Sequence, residues 1–259
     1  MNALVSGIGT DGLVGFLLVL ARLTPMFVLA PLFSSKLLPV RVRGIVAVAL
    51  AVGIAPLALA GQHVPTGAAE LLGLVTKELL VGLAFAFAIG LLMAALQIAG
   101  SFVDTLIGYA FGAAVDPLTG NQGTTMSQLY GLLGVMVFIA INGDGIVIRG
   151  FAETYDLVGL LETPALGPLL DGAIGAFTGL FASALQVAAP VLLALLLTDV
   201  AFGLVTRVVP QLNVFSVGIP AKVLVGTLIT AASLPFVAGW IGDELEASVA
   251  AALGSLGVS

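Results

Sequence analysis

Apolar residues dominate six stretches of the chain, and Gly, Pro and the few charged residues collect between them. The stretches run from Leu13 to Phe33, Gly44 to Ala60, Leu71 to Ile98, Leu129 to Ile148, Ala173 to Val205 and Val223 to Ile241. A helix needs about 20 mainly apolar residues to cross the hydrocarbon core, because each residue advances about 1.5 Å. The pattern therefore predicts an all-α, integral membrane protein, with residues 1–259 forming a single membrane domain of about six hydrophobic helices. The third and fifth stretches exceed a perpendicular span, which predicts tilt, a break or an extension beyond the membrane. Pro25, Pro56, Pro190 and Pro235 fall inside four of the six and predict kinks, because each removes a backbone donor.

Orientation follows from the basic residues in the connections. Lys36, Arg41 and Arg43 occupy the first, Arg207 and Lys222 the fifth, and the third has none. The N-terminal tail and the second and fourth connections hold only Lys77, near a span boundary, and Arg149. Odd-numbered connections are then cytoplasmic, and both termini lie outside, with Asp11, Asp243, Glu244 and Glu246 on the outer side. Arg22 sits within the first stretch, where its long side chain is expected to snorkel to an interface.

Composition strengthens this picture. The chain is 60% hydrophobic and 8% charged, with a mean hydropathy of +1.22, whereas soluble domains carry about 25% charged residues. So few charges cannot cover a water-facing surface of this size, and such hydrophobicity excludes intrinsic disorder. A net charge of -6 argues against a nucleic-acid partner, which would require a surplus of Lys and Arg. With 0 Cys and the single His63, neither a disulfide nor a thiolate or histidine metal cluster can form, so no metal and no cofactor is expected. Met1 to Ser6 lack the basic start of a cleavable signal peptide, and the first stretch is expected to be retained.

Most short motifs read as structure. Gly7-Ile8-Gly9-Thr10-Asp11-Gly12 has dinucleotide-loop spacing, but no strand can precede it. Asn142-Gly143-Asp144-Gly145 and Tyr155-Asp156 suggest paired protease aspartates, yet both flank one short connection; a polar turn ending the fourth stretch is the better reading. Small residues recur every four positions at Gly82, Ala86, Gly90 and Ala94, and again at Gly175, Gly179 and Ser183, which predicts close helix packing. Glu78, at the start of the third stretch, is either interfacial or paired inside an assembly.

Two connections are less apolar than the rest. From Gly100 to Gln128 there is no base, and Gly100, Asp104, Gly108 and Gly112 would share one helical face, with the helix ending before Pro117. That connection is either a surface loop or a loop facing a pore. In the Thr206 to Lys222 connection, Pro210 and Pro220 bar a continuous helix, and Gln211 and Asn213 would share one side of an extended segment.

The run Arg207, Pro210, Gln211, Asn213, Phe215, Gly218, Pro220 resembles the signature of the FliR/SctT family of type III secretion proteins. Arg22-Leu23-Thr24-Pro25, Pro31-Leu32-Phe33 and Pro39-Val40-Arg41-Val42-Arg43 are similar to that family's first hairpin, Lys77-Glu78-Leu79-Leu80-Val81-Gly82 to the opening of its third helix, and Asp116-Pro117-Leu118-Thr119-Gly120 to its central loop. The similarity covers nearly the whole chain. It departs at Gly143-Asp144, where many members have Gly-His, and at Gly108 to Gly112, which lacks a common glutamine.

The resemblance implies helical hairpins and a non-enzymatic export-gate subunit in the bacterial inner membrane, at the flagellar basal body or its injectisome counterpart. It implies a pore complex with FliP and FliQ homologues, joined by FlhB and FlhA, through which unfolded substrates pass. Much of such a gate is raised out of the bilayer plane, so the hydrophobic segments need not all span. No soluble domain follows Ile241, so a fusion with FlhB is not expected. The loop after the third segment would act as a plug, mapped to Phe111, Gly112, Asp116, Pro117, Gly120 and Gly123. Glu78, Gly82, Arg207, Pro210, Gln211, Asn213, Phe215, Gly218 and Pro220 would serve assembly and packing, because buried polar groups need partners. A small-molecule secondary transporter is the competing reading, weakened by the lack of an internal repeat and of a charged site at mid-span. An enzyme comes third, since no nucleophile, base and oxyanion donors converge.

Overall fold

The computed structural model describes residues 10–31, 39–59, 64–65, 67–108, 125–209, 211 and 214–257. They form α1 (Thr10–Leu29), α2 (Val40–Leu59), α3 (Ala68–Ile107), α4 (Thr125–Ala140), α5 (Gly143–Leu157), α6 (Leu166–Val208) and α7 (Val214–Gly257). No strand occurs among the described residues. Five of these helices are long and apolar enough to cross a membrane, and α4 with α5 makes a sixth if the bent pair counts as one span.

Helix length departs from hydropathy in a consistent direction. α3, α6 and α7 run for 40, 43 and 44 residues, or roughly 60–66 Å at about 1.5 Å per residue, about twice the hydrocarbon thickness. Hydropathy marks only the part of a helix that avoids water, whereas caps and breakers decide where its hydrogen bonding stops. Pro220 did not bar a helix: α7 begins at Val214 and runs through both Pro220 and Pro235, each of which removes a single intrahelical donor.

The fourth apolar stretch, expected as one helix, is two. α4 and α5 meet at an angle of 73°, and the cause is local. Asn142 adopts φ 55, ψ 41, the left-handed region, and is the only non-glycine with positive φ among the described residues. Asn tolerates that region better than most side chains. Its carbonyl accepts hydrogen bonds from Gly145 N (3.0 Å) and Ile146 N (3.3 Å), which starts α5. Gly143 follows of necessity, since a Cβ there would lie 2.7 Å from the Phe138 ring and 2.8 Å from its carbonyl oxygen.

The described residues fall into two compact units. One draws on Met1–Leu91, Phe138–Phe177 and Leu245–Ser259, the other on Leu92–Val137 and Thr178–Glu244. In the first, α1 and α2 pack on each other, and Leu18, Leu23 and Met26 of α1, Val81, Phe85 and Ile89 of α3 and Val147 and Phe151 of α5 are buried. Phe85 meets Phe151 edge to face at 5.9 Å between ring centroids, a favoured aromatic geometry. The stripe of Gly82, Ala86 and Gly90 lies against α1: a Cβ on Gly82 would collide with the Arg22 carbonyl, and one on Gly90 would stand 3.0 Å from the Leu29 carbonyl oxygen. The second stripe behaves otherwise, since a Cβ on Gly179 would meet no atom within 4 Å. In the second unit Leu96, Ala99, Val103 and Ile107 of α3 are buried, as are Tyr130 of α4, Ala184, Val187, Val191 and Leu195 of α6 and Trp240 and Ile241 of α7.

Candidate functional site

Two polar constructions stand out in this apolar molecule, one in each unit. The first is centred on Arg22. Its side chain is fully buried and does not snorkel. Nε and Nη2 donate to the two carboxylate oxygens of Glu78, Nη2 at 3.0 Å. Nη1 donates to the carbonyl (3.1 Å) and hydroxyl (3.2 Å) of Thr154, and Nη2 also to the Val158 carbonyl at 2.9 Å. The guanidinium carries five N–H donors, and five bonds are made, so none is left over. The Tyr155 ring covers the group, with its centroid 4.1 Å from the guanidinium carbon.

Lys77 adds a second cation. Its Nζ lies 2.7 Å from Glu78 Oε1 and donates to the carbonyls of Gly159 (3.0 Å) and Leu160 (2.7 Å). Two cations thus share one carboxylate, leaving a surplus positive charge. The surplus sits at the C-terminal end of α5, whose last turn contains no basic residue. Carbonyls there carry the negative end of the helix dipole, and that of Thr154 also accepts from Val158 N at 3.0 Å. Arg22 of α1 therefore caps the end of α5 from outside it, and Lys77 of α3 holds the Gly159 and Leu160 carbonyls just beyond. Glu78 is paired within this chain, through side chains 56 positions apart in sequence.

A nearby cavity of about 610 Å³ is walled by Ile54 and Leu57 of α2 and by Arg149, Glu153, Tyr155, Asp156 and Glu162. Among the described residues no group of His, Cys, Asp and Glu could hold a metal ion.

The second construction lies where α3 ends and α4 begins. Asp104, fully buried, accepts hydrogen bonds from Met126 N (Oδ1 3.1 Å, Oδ2 2.9 Å) and from Ser127 N (Oδ2 3.1 Å). Those amides belong to the first turn of α4, which has no acidic residue of its own. Gly108, at φ +99, closes α3, and its amide bonds back to the Asp104 carbonyl at 3.0 Å. Lys222 of α7 donates to the Leu106 carbonyl at 3.2 Å and pairs with Asp199 of α6.

The residues singled out by sequence are distributed unevenly. Phe111, Gly112, Asp116, Pro117, Gly120 and Gly123 lie outside the described residues, as do Pro210, Asn213 and the Phe215 side chain. Arg207 ends α6 exposed, Gln211 and Pro220 are exposed, and Gly218 is buried. Glu78 and Gly82 are buried beside Arg22. Sequence reasoning did not pair Arg22 with Glu78 or join Asp104 to the start of α4. The available signal was the rarity of charge inside apolar stretches, where an ionisable residue needs a partner.

Residues 13–248 match the family described as bacterial export proteins, family 1. The chain is 32% identical over 230 residues to the flagellar biosynthetic protein FliR of Bacillus subtilis (strain 168), covering 86% of this chain and 87% of that protein. It is 27% identical over 219 residues to FliR of Escherichia coli (strain K12), covering 85% and 84%. The surface presentation of antigens protein SpaR of Shigella flexneri is 25% identical over 214 residues, covering 82% and 81%.

Proposed function

The chain belongs to the bacterial export proteins, family 1, and on that premise we propose that it is a non-enzymatic subunit of a type III protein-export gate serving flagellar assembly. The observation that carries this reading is the match over residues 13–248, accompanied by similarity to FliR over 86% of the chain. The injectisome reading draws on SpaR, at 25% identity against 32% for the Bacillus protein, and the higher figure favours the flagellum.

In this role the subunit sits in the bacterial inner membrane at the basal body and assembles with FliP and FliQ homologues around a pore for unfolded substrates, with FlhB and FlhA homologues joining them. The exposed apolar faces of α2 and α6 support such an arrangement, because Ile45, Val52 and Leu57 and Leu193, Leu197 and Leu204 would otherwise stand in water. The stretch from Phe111 to Gly123 obstructs the pore at rest. It carries no basic residue, and its apolar Phe111 and several glycines suit a barrier that yields to a passing chain. Arg207, Gln211 and Asn213 contact neighbouring subunits.

Removing the chain from a motile host is expected to abolish flagellar filament export and motility, with FliP and FliQ homologues copurifying with the tagged wild-type chain. Normal motility in its absence, or motility retained with loss of injectisome secretion, would overturn the flagellar assignment.

A further inference from the structure

We propose that Tyr130 of α4 and Thr230 and Ser233 of α7, all in the second unit, hold a buried water molecule that joins the two helices by hydrogen bonds.

Three observations meet there. Tyr130, Thr230 and Ser233 are 0%, 2% and 7% exposed, so bulk water does not serve their hydroxyls. The hydroxyls of Thr230 and Ser233 face that of Tyr130, yet the Tyr130 and Thr230 oxygens have no hydrogen-bond partner among the described residues. The third observation is the direction of Thr230. Thr24, Thr76, Thr105 and Thr198 each donate to the carbonyl four residues earlier in their own helix, an ordinary way for a helical threonine to satisfy its hydroxyl. Thr230 forgoes that bond, and its hydroxyl stands beside the phenol of another helix.

Buried hydroxyls are as a rule hydrogen-bonded, because a polar group that gives up its bonds to water needs others in exchange. One water meets the demand of all three. It can accept from the O–H groups of Tyr130 and Thr230 and donate to Ser233, whose own proton is already given to the Thr230 carbonyl at 2.9 Å. Three bonds are about what a buried water makes. Thr230 and Ser233 are three positions apart on α7 and share a face, so both can reach the same molecule. The groups facing the Tyr130 oxygen are uncharged hydroxyls, which suits a neutral occupant rather than an ion. The water thereby ties α4 to α7 with directional bonds, which apolar packing does not provide.

The test is X-ray radiolysis of the full chain in lipid nanodiscs, in which hydroxyl radicals arise from bound water and oxidise the side chains beside it, read by mass spectrometry. Tyr130 should be oxidised severalfold faster than Phe138, an equally buried ring on the same helix. The double variant Thr230→Val, Ser233→Ala should bring Tyr130 down to the Phe138 rate. Oxidation of Tyr130 no faster than that of Phe138 in the native chain would mean a dry site with direct contact between hydroxyls, and would overturn the proposal. Undiminished oxidation in the double variant would overturn it too, by showing that these hydroxyls hold no water. As a second measurement, Tyr130→Phe should raise the unfolded-to-folded ratio in detergent about twofold to tenfold, as the loss of one net hydrogen bond does. A ratio that falls would mean that the phenol was buried without a partner, and the proposal would fail. Radiolysis of the native chain decides the matter even if no variant folds.

Discussion

Charge is scarce in this chain, and the burial of Arg22, Lys77 and Glu78 shows how an apolar protein accommodates it. The two cations depend on one carboxylate and on the carbonyls at and just beyond the end of α5. Removing the carboxylate is therefore expected to cost more than removing either cation. Glu78→Ala strips both cations of their counter-charge and should destabilise the protein by about 3–5 kcal/mol, the usual cost of breaking a buried pair. Arg22→Ala leaves Lys77 and Glu78 as a matched pair and should cost less. Thermal unfolding of the two variants in detergent would reveal the order, and the reverse order would show that the charge balance is not what stabilises the centre. Both residues were legible in the sequence as anomalies, an Arg alone in the first apolar stretch and a Glu beside Lys77 in the third. Their pairing was not, because no periodicity relates positions 56 apart.

At the scale of the helix, ends were harder to read than middles. Apolar runs located every helix except the division of the fourth, and the long helices exceed their apolar runs because intrahelical hydrogen bonds continue past the point where hydropathy falls. The α4–α5 break depends on Asn142 in the left-handed region. Asn142→Gly should be nearly neutral, while Asn142→Val should destabilise by about 1–2 kcal/mol, the cost of placing an ordinary side chain there. Chemical unfolding of both variants would check this, and equal stability would mean that the bend is imposed by packing alone. The sequence indicated a polar turn at Asn142 to Gly145 but gave no sign that a second helix, Gly143–Leu157, would follow at 73°. A stripe of small residues was equally ambiguous. Gly82 and Gly90 meet the backbone of α1, while a Cβ at Gly179 would enter open space, although the spacing is the same.

For the molecule as a whole, the number of crossings decides the topology. With α4 and α5 counted as one span there are six, and with the pair excluded there are five. Six crossings, with the basic residues Arg41, Arg43, Arg207 and Lys222 on the cytoplasmic side, would put both termini in the periplasm. Alkaline phosphatase fused after Ser259 should then be active, and an inactive fusion with an active cytoplasmic reporter would favour five. Only 11% of the α2 span is buried within the chain, so most of that helix must find lipid or another subunit. By itself, the sequence determined that this protein is helical, avoids water and belongs among export proteins, because composition, the period of apolar positions and ordered motifs are properties of the chain read in line. Only the tertiary structure decided that Arg22 meets Glu78, that Asp104 caps α4, and which glycine stripe is packed. Those are contacts between distant positions, and their energies depend on burial and on the direction of individual donors and acceptors, which exist only once the helices have come together.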